Sequence, residues 1–160
     1  MVNGERNGNG KEYDNNETLK FEGEYLNGRR HGEGREYNSY GKLLYEGKYL
    51  NGKKNGKGNG KEYYYWGNIK FEGEYLNGKK NGNGKDYYCN NNKLEFEGEY
   101  INGERNGKGK EYYENGKIKF EGEYINGKRN GKGKEYYENG KIKFEGKYLN
   151  GKKNRKCQIF

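Results

Sequence analysis

Apolar and polar positions alternate along this chain in a unit that reads most cleanly from Phe120 to Lys143. Its opening aromatic recurs at Phe21, Tyr45, Phe71, Phe96, Phe120 and Phe144, in steps of 24, 26, 25, 24 and 24 residues, which is the signature of a repeat architecture. In each copy a Gly follows two residues after that aromatic and a Tyr two residues later, as in Phe71, Gly73 and Tyr75. Such period-two alternation predicts a half-buried β-strand. The Asn-Gly that comes next, as at Asn77 and Gly78, supplies the positive φ that a two-residue hairpin turn requires. A second run, Gly-Lys-Glu-Tyr-Tyr in most copies, predicts the return strand, and a turn such as Glu114-Asn115-Gly116-Lys117 leads to the next copy. The expected fold is all-β: an elongated, twisted, single-layer antiparallel sheet of consecutive β-hairpins, six hairpins giving about twelve strands. One aromatic face should run along it, made of Phe21, Tyr25, Tyr45, Tyr49, Phe71, Tyr75, Phe96, Tyr100, Phe120, Tyr124, Phe144 and Tyr148.

Composition changes this picture in two ways. Hydrophobic residues are 28% of the chain and charged ones 36%, values that alone would suggest disorder. The periodicity overrides that suggestion, and with 19 Tyr and 6 Phe against few Leu, Ile or Val the interior must be a thin aromatic layer stabilised by repeat-on-repeat stacking. The formal charge of +9 favours acidic partners, but Lys and Glu alternate along most strands, as at Lys119, Glu121 and Glu123. A solvated face with cross-strand ion pairs follows, and the interleaved Glu residues speak against nucleic acid as the partner.

Departures from the repeat mark the remaining features. Residues 1–20 form a copy without its first strand, so the strand near Lys11 to Asp14 should be a sheet edge, open to self-association or to a partner strand. His31 is read as a turn residue, since no second His or adjacent Cys accompanies it as base or ligand. The copy from Tyr45 gains two residues around Gly58-Asn59-Gly60 and then runs Tyr63-Tyr64-Tyr65-Trp66, which either forms a contact patch or covers the neighbouring glycines. Cys89 sits at the rim of a slack turn with Asn90, Asn91 and Asn92. With Cys157 far away, no disulfide framework is expected and a reducing compartment is the default. No apolar run is long enough for a signal peptide or membrane span, which makes the cytosol the expected location. The first Tyr of the pair (Tyr13, Tyr37, Tyr63, Tyr87, Tyr112, Tyr136) is present in every copy while the second drifts to Asp14 and Asn38. Simple alternation places that first Tyr opposite the face of Gly133 and Tyr137, whereas a glycine bulge would reset it; both registers stay open.

The recurring series from Phe120-Glu121-Gly122-Glu123-Tyr124 through Gly131-Lys132-Gly133 resembles the MORN repeat (membrane occupation and recognition nexus), over nearly the whole chain. The resemblance implies a ribbon of hairpins acting as a scaffold, dimerisation element or membrane-proximal organiser without chemistry of its own. Tyr stands where the family often has Trp, and Asn where it often has His, a choice similar to antitoxin-like bacterial variants.

The array is expected over residues 1–151, and 152–160 reads as a basic tail. There the repeat pattern stops, and Cys157-Gln158-Ile159-Phe160 resembles a prenylation box whose final Phe favours geranylgeranyl. Lys152, Lys153, Arg155 and Lys156 precede it as a polybasic membrane contact. A single lipid chain binds marginally, and four cations would add roughly 4 kcal/mol at an anionic leaflet. The expected function is a non-enzymatic scaffold, peripheral on the cytosolic face of a membrane, that binds a protein partner or its own copy. The alternative is a soluble, antitoxin-like interaction module without lipid. No nucleophile triad, metal-ligand cluster or phosphate loop is present, so catalysis, cofactor and metal are not expected.

Overall fold

The computed structural model describes residues 4–158, apart from the side chains of residues 58, 59 and 155–158. All regular structure among them is β-strand, and the chain forms two compact units, Met1–Lys79 and Lys80–Phe160.

In the first unit β1 (Gly8–Tyr13), β2 (Leu19–Leu26), β3 (Arg29–Tyr37), β4 (Leu43–Leu50), β6 (Gly56–Tyr63) and β7 (Ile69–Leu76) pair in chain order, with β5 (Lys53–Lys54) beside β4. The second unit runs through β8 (Lys79–Tyr87), β9 (Leu94–Ile101), β10 (Glu104–Tyr112), β11 (Ile118–Ile125), β12 (Lys128–Tyr136), β13 (Ile142–Leu149) and β14 (Lys152–Gln158), again in chain order. Every pairing is antiparallel, so each unit is a run of consecutive hairpins. The strand count exceeds twelve for two reasons. The truncated first copy contributes β1, and the two extra residues of the copy from Tyr45 split its return strand into β5 and β6.

The Asn-Gly turns close as predicted. Asn27, Asn51, Asn77, Asn102, Asn126 and Asn150 all have φ between 48° and 53°, each followed by a left-handed Gly, the geometry of a type I′ turn. Successive turns are stitched together: Gly52 N–H donates to the Arg30 carbonyl at 2.8 Å and Gly151 N–H to the Arg129 carbonyl at 2.9 Å. At the other ends of the strands the turn has two solutions. The Asp14 and Asn38 side chains cap their turns by accepting two backbone N–H bonds each. In later copies Asn91, Asn115 and Asn139 do the capping. The vacated position then holds Tyr88 or Tyr113, whose hydroxyl donates to the carbonyl of Tyr112 or Tyr136 in the next repeat. The drift of the second Tyr is thus an exchange between two ways of satisfying the same backbone.

A row of paired glycines crosses each unit, Gly10↔Gly23↔Gly34↔Gly47 in the first and Gly98↔Gly109↔Gly122↔Gly133↔Gly146 in the second. Their purpose is room. A methyl group at Gly34 would lie 2.5 Å from the tip of the Phe21 ring, and one at Gly133 equally close to Phe120. The rings lie flat across the bare backbone, edge-on to Tyr rings with centroids 5.2–5.6 Å apart: Phe21 against Tyr25 and Tyr49, Phe120 against Tyr124 and Tyr148. Of the twelve residues of the expected aromatic face all are buried except Phe144, which is half-buried in the last copy.

Candidate interaction surface

The aromatic layer is sealed on its solvent side by charge. Tyr25 pairs across the sheet with Arg30 and Gly23 with Gly34, so β3 carries two more residues than β2 between these pairs. The resulting bulge holds His31, Gly32 and Glu33, and the Glu24 carboxylate accepts the Glu33 N–H at 3.0 Å. His31 is therefore a strand residue within β3, not a turn residue, because the Asn-Gly turn is complete before Arg29. The bulge sets Arg30 over the face of Phe21, 4.1 Å from its centroid. Lys54 on Tyr45, Arg105 on Phe96 and Arg129 on Phe120 repeat this at 4.0–4.2 Å.

Each such cation bridges two repeats. Arg30 binds Glu12 at 2.7 Å and Glu36 at 3.3 Å; Arg129 binds Glu111 at 2.6 Å and lies 3.8 Å from Glu135. The same carboxylates accept the Tyr hydroxyls, Tyr25 on Glu12 at 2.8 Å and Tyr124 on Glu111 at 2.7 Å. On the reverse face the first Tyr of the pair donates to a Glu upstream, fifteen residues away for Tyr37 to Glu22 and Tyr136 to Glu121 and seventeen for Tyr63 to Glu46, across the insertion. Simple alternation therefore holds, and this Tyr lies opposite the aromatic layer. The register does shift at the glycine bulge, but there β3 gains two residues and the alternation is kept; it shifts again between Glu36 and Tyr37 and at the matching place in other copies, where strands meet the following turn.

This network fixes protonation states away from neutrality. Burial works against the Glu135 carboxylate, yet hydrogen bonds from Lys143 and Lys153 outweigh it and hold its pKa down to about 2. The Arg30 hydrogen bond lowers Glu12. Burial, then the bond to the neighbouring Glu, pushes the phenols of Tyr25 and Tyr63 up to about 12; at Tyr136 the bond to Glu121 leads, with the same result. An acid or base working near neutral pH needs the opposite, a pKa brought toward 7. Among the described residues no cluster of His, Cys, Asp or Glu is arranged to hold a metal ion.

What is left exposed is periodic. One aliphatic residue per hairpin stands at the Asn-Gly turn, Leu26, Leu50, Leu76, Ile101, Ile125 and Leu149, each 43–57% exposed. Five of them pair across the hairpin with the first residue of the return strand, which is a cation in four cases, Arg29, Lys53, Lys128 and Lys152, and an acid at Glu104. Sequence reasoning missed this row, although its signal is plain: an aliphatic residue directly before each of those Asn-Gly pairs.

The run from Tyr63 to Trp66 divides. Tyr63 faces Glu46, while Tyr64 stacks on Trp66 with centroids 5.5 Å apart and Tyr65 meets Tyr40 edge-on at 5.4 Å. Beyond its chain neighbours a methyl at Gly67 would touch nothing within 4 Å, and one at Gly60 would meet Tyr45 and Tyr75. Tyr40, Tyr65 and Trp66 are 72%, 52% and 61% exposed and form an aromatic knob at the turns. Tyr40 joins it because it holds the same place in its turn as Trp66 does in the next copy.

Of the basic residues near the C-terminus, Lys152 is exposed, whereas Lys153 takes the repeat's cation position, 2.9 Å from Glu135 and 5.1 Å from the Phe144 centroid. Lys152, Lys153 and Asn154 pair with β13. The side chains of Arg155, Lys156 and Cys157 lie outside the described residues. Cys89 is exposed at its turn.

A one-layer β-hairpin array with a buried ring ladder and glycine floor defines a repeat protein of the scaffold or interaction class. The MORN repeat profile matches residues 21–41, 45–69, 71–93 and 120–142, and a MORN repeat variant matches 6–27 and 105–126. These matches span more than half of the chain, which belongs to the MORN repeat family. No curated protein matches it.

Proposed function

We propose that the chain is a non-enzymatic scaffold that engages a protein partner through the exposed Leu and Ile residues of its units, Leu26, Leu50 and Leu76 in the first and Ile101, Ile125 and Leu149 in the second, and is held at the cytosolic face of a membrane by a prenyl group on Cys157. The scaffold reading rests on one observation above all: each hairpin buries its rings and ionisable groups in contacts with the next, yet leaves one aliphatic residue at its turn in solvent. Similar small contacts repeated from hairpin to hairpin within a unit suit an extended partner better than a compact substrate. Nothing among the described residues points to catalysis.

The tether is supported by Cys157-Gln158-Ile159-Phe160 and the cations before it. Since Lys153 already serves Glu135, three cations rather than four are left to meet an anionic leaflet, worth roughly 3 kcal/mol before screening. Removing the last four residues, or Cys157→Ser, should move the protein from the membrane fraction of eukaryotic cells to the cytosol with an unchanged circular-dichroism spectrum. Equal membrane association of wild type and variant sinks the tether.

A second reading, a soluble interaction module without lipid, is favoured by the knob of Tyr40, Tyr65 and Trp66 in the first unit. Exposed Trp and Tyr clusters are common anchors in protein interfaces. It predicts an unmodified Cys157 and a partner released by the double change Tyr65→Ser and Trp66→Ser.

A further inference from the structure

Within a unit, the turns that join one hairpin to the next follow each other along the sheet, two strand spacings or roughly 10 Å apart. Most carry small polar or acidic residues at their tips, such as Asn15, Glu114 and Asn115. Two successive turns of the first unit differ. Asn38 caps its turn by accepting the Tyr40 and Lys42 N–H bonds at 2.9 and 3.0 Å, with Tyr40 at the tip. The next turn closes through the Gly67 N–H, which donates to the Tyr64 carbonyl at 2.8 Å, and holds Tyr65 at its tip. The two rings span the gap and meet edge-on, with centroids 5.4 Å apart and planes at 76°. They are close enough that the Tyr40 phenol raises the pKa of the Tyr65 phenol. Among the 19 tyrosines this is the one ring pair in which both partners are exposed, at 72% and 52%. Tyr45 touches Tyr49 and Tyr75, but those three rings are at most 4% exposed. The exposed rings of Tyr13 and Tyr137 have no second tyrosine beside them among the described residues.

Two solvent-exposed phenols in ring contact are placed for oxidative coupling. We propose that Tyr40 and Tyr65 form a cross-linking site, at which a one-electron oxidant of the haem-peroxidase class, with hydrogen peroxide, joins the two phenols into an intrachain dityrosine. Each phenol gives up one electron and its hydroxyl proton, leaving a phenoxyl radical with spin on the ring carbons ortho to oxygen, the Cε positions. The two radicals combine to form one Cε–Cε bond, and the hydrogens on those two carbons move to the oxygens and restore both phenols. The chain loses two hydrogens in all; hydrogen peroxide takes up the two electrons and two protons and becomes two waters. Because the rings already touch, coupling needs no encounter between molecules, and at low protein concentration the link forms within one chain rather than between two. Exposure admits the oxidant, and rings outside a packed core turn about their χ angles to bring the two carbons together. The new bond staples two successive hairpins at their turns and restricts the unfolded chain between them. The site rests neither on the prenyl tether nor on a partner at the aromatic knob, since the isolated chain is the substrate.

The test treats the full chain, dilute and without a partner, with a haem peroxidase and hydrogen peroxide. A monomeric product with dityrosine fluorescence and an intact mass lower by two hydrogens is expected, and its digest should hold one cross-linked peptide that joins Tyr40 to Tyr65. Tyr40→Phe and Tyr65→Phe keep a ring in place but offer no phenol; each should abolish the link, with a melting temperature within a few degrees of wild type before oxidation. Tyr13→Phe and Tyr137→Phe should give the wild-type yield. Denaturant should cut the yield roughly tenfold or more, because the contact exists only between folded turns. The linked chain should melt several degrees above the unlinked one, as a cross-link closing a loop of about 25 residues requires. The proposal is overturned by a product without dityrosine, by a link that maps to another pair, by equal yield in Tyr40→Phe or in denaturant, or by dityrosine found only in dimers. A linked chain that melts no higher than the unlinked one overturns the staple.

Discussion

Gly133→Ala tests the packing logic at its tightest point. The new methyl would stand 2.5 Å from Cζ and 2.6 Å from Cε2 of Phe120, and 3.3 Å from the Glu121 carbonyl oxygen. Carbon atoms in contact prefer 3.5–4.0 Å, so the ring or the backbone must yield by about 1 Å. Phe120 has little freedom to do so. It is fully buried, edge-on to Tyr124 and Tyr148, and capped by Arg129, which is itself fixed to Glu111. Overpacking of this kind costs about 1–3 kcal/mol, set against a gain of about 0.4–1 kcal/mol from replacing glycine in the unfolded chain. Gly133 carries no positive φ, so the cost is steric alone. A net loss of about 1–2 kcal/mol lowers the melting temperature of a unit this size by roughly 4–16 °C, read by circular dichroism or tyrosine fluorescence. Adding Phe120→Leu, which shortens the offending ring, should recover part of that loss relative to Phe120→Leu alone. Gly140→Ala is the contrast: nothing lies within 4 Å, its φ is +84°, and its cost of about 1–2 kcal/mol should be indifferent to Phe120→Leu. Unchanged or raised stability in Gly133→Ala, or no coupling to residue 120, would refute the reasoning.

Further outcomes follow from the same geometry. Phe120→Ala should cost about 3–5 kcal/mol and Phe144→Ala clearly less, because only the former ring is fully buried; denaturant melts of the two give the comparison. The depressed Glu135 contributes stability that is complete above its unfolded pKa, near 4.5, and is lost as pH falls toward about 2; Glu135→Gln should flatten the stability profile in that window. The raised Tyr25, Tyr63 and Tyr136 phenols act in the opposite sense, with stability present below their ordinary pKa of 10 and lost as pH rises through about 12, visible as delayed phenolate absorbance that jumps on unfolding. Trp66, 61% exposed, should be readily quenched by iodide, and Trp66→Ser should leave the melting temperature within a few degrees of wild type.

The hairpins and aromatic layer are legible in the sequence because both follow local rules: period-two alternation, and Asn-Gly turns that need positive φ. Phe21, Gly23 and Tyr25 point to one face wherever the strand finds its neighbour. The charged ladder is not legible in the same way. Arg30, Lys54, Arg105 and Arg129 look like solvated residues after a turn, and only the bulge behind them, two extra residues in three copies and four behind Lys54, a cross-strand property, brings each over a ring. Lys153 illustrates the consequence: it reads as part of a basic tail but sits in the ladder, against Glu135 and Phe144. Tyr40 escaped notice because its contact with Tyr65 spans two turns 25 residues apart in sequence, and its own copy has no aromatic run around it. Conversely, the constancy of the first Tyr, puzzling under strict alternation, has a simple cause in the Glu that receives its hydroxyl on the reverse face.

The most direct test of a membrane-held scaffold is the intact mass of the full chain purified from eukaryotic cells. A gain of one prenyl group that maps to Cys157 and disappears in Cys157→Ser is the predicted result. An unmodified mass would contradict the tether and leave the soluble interaction module.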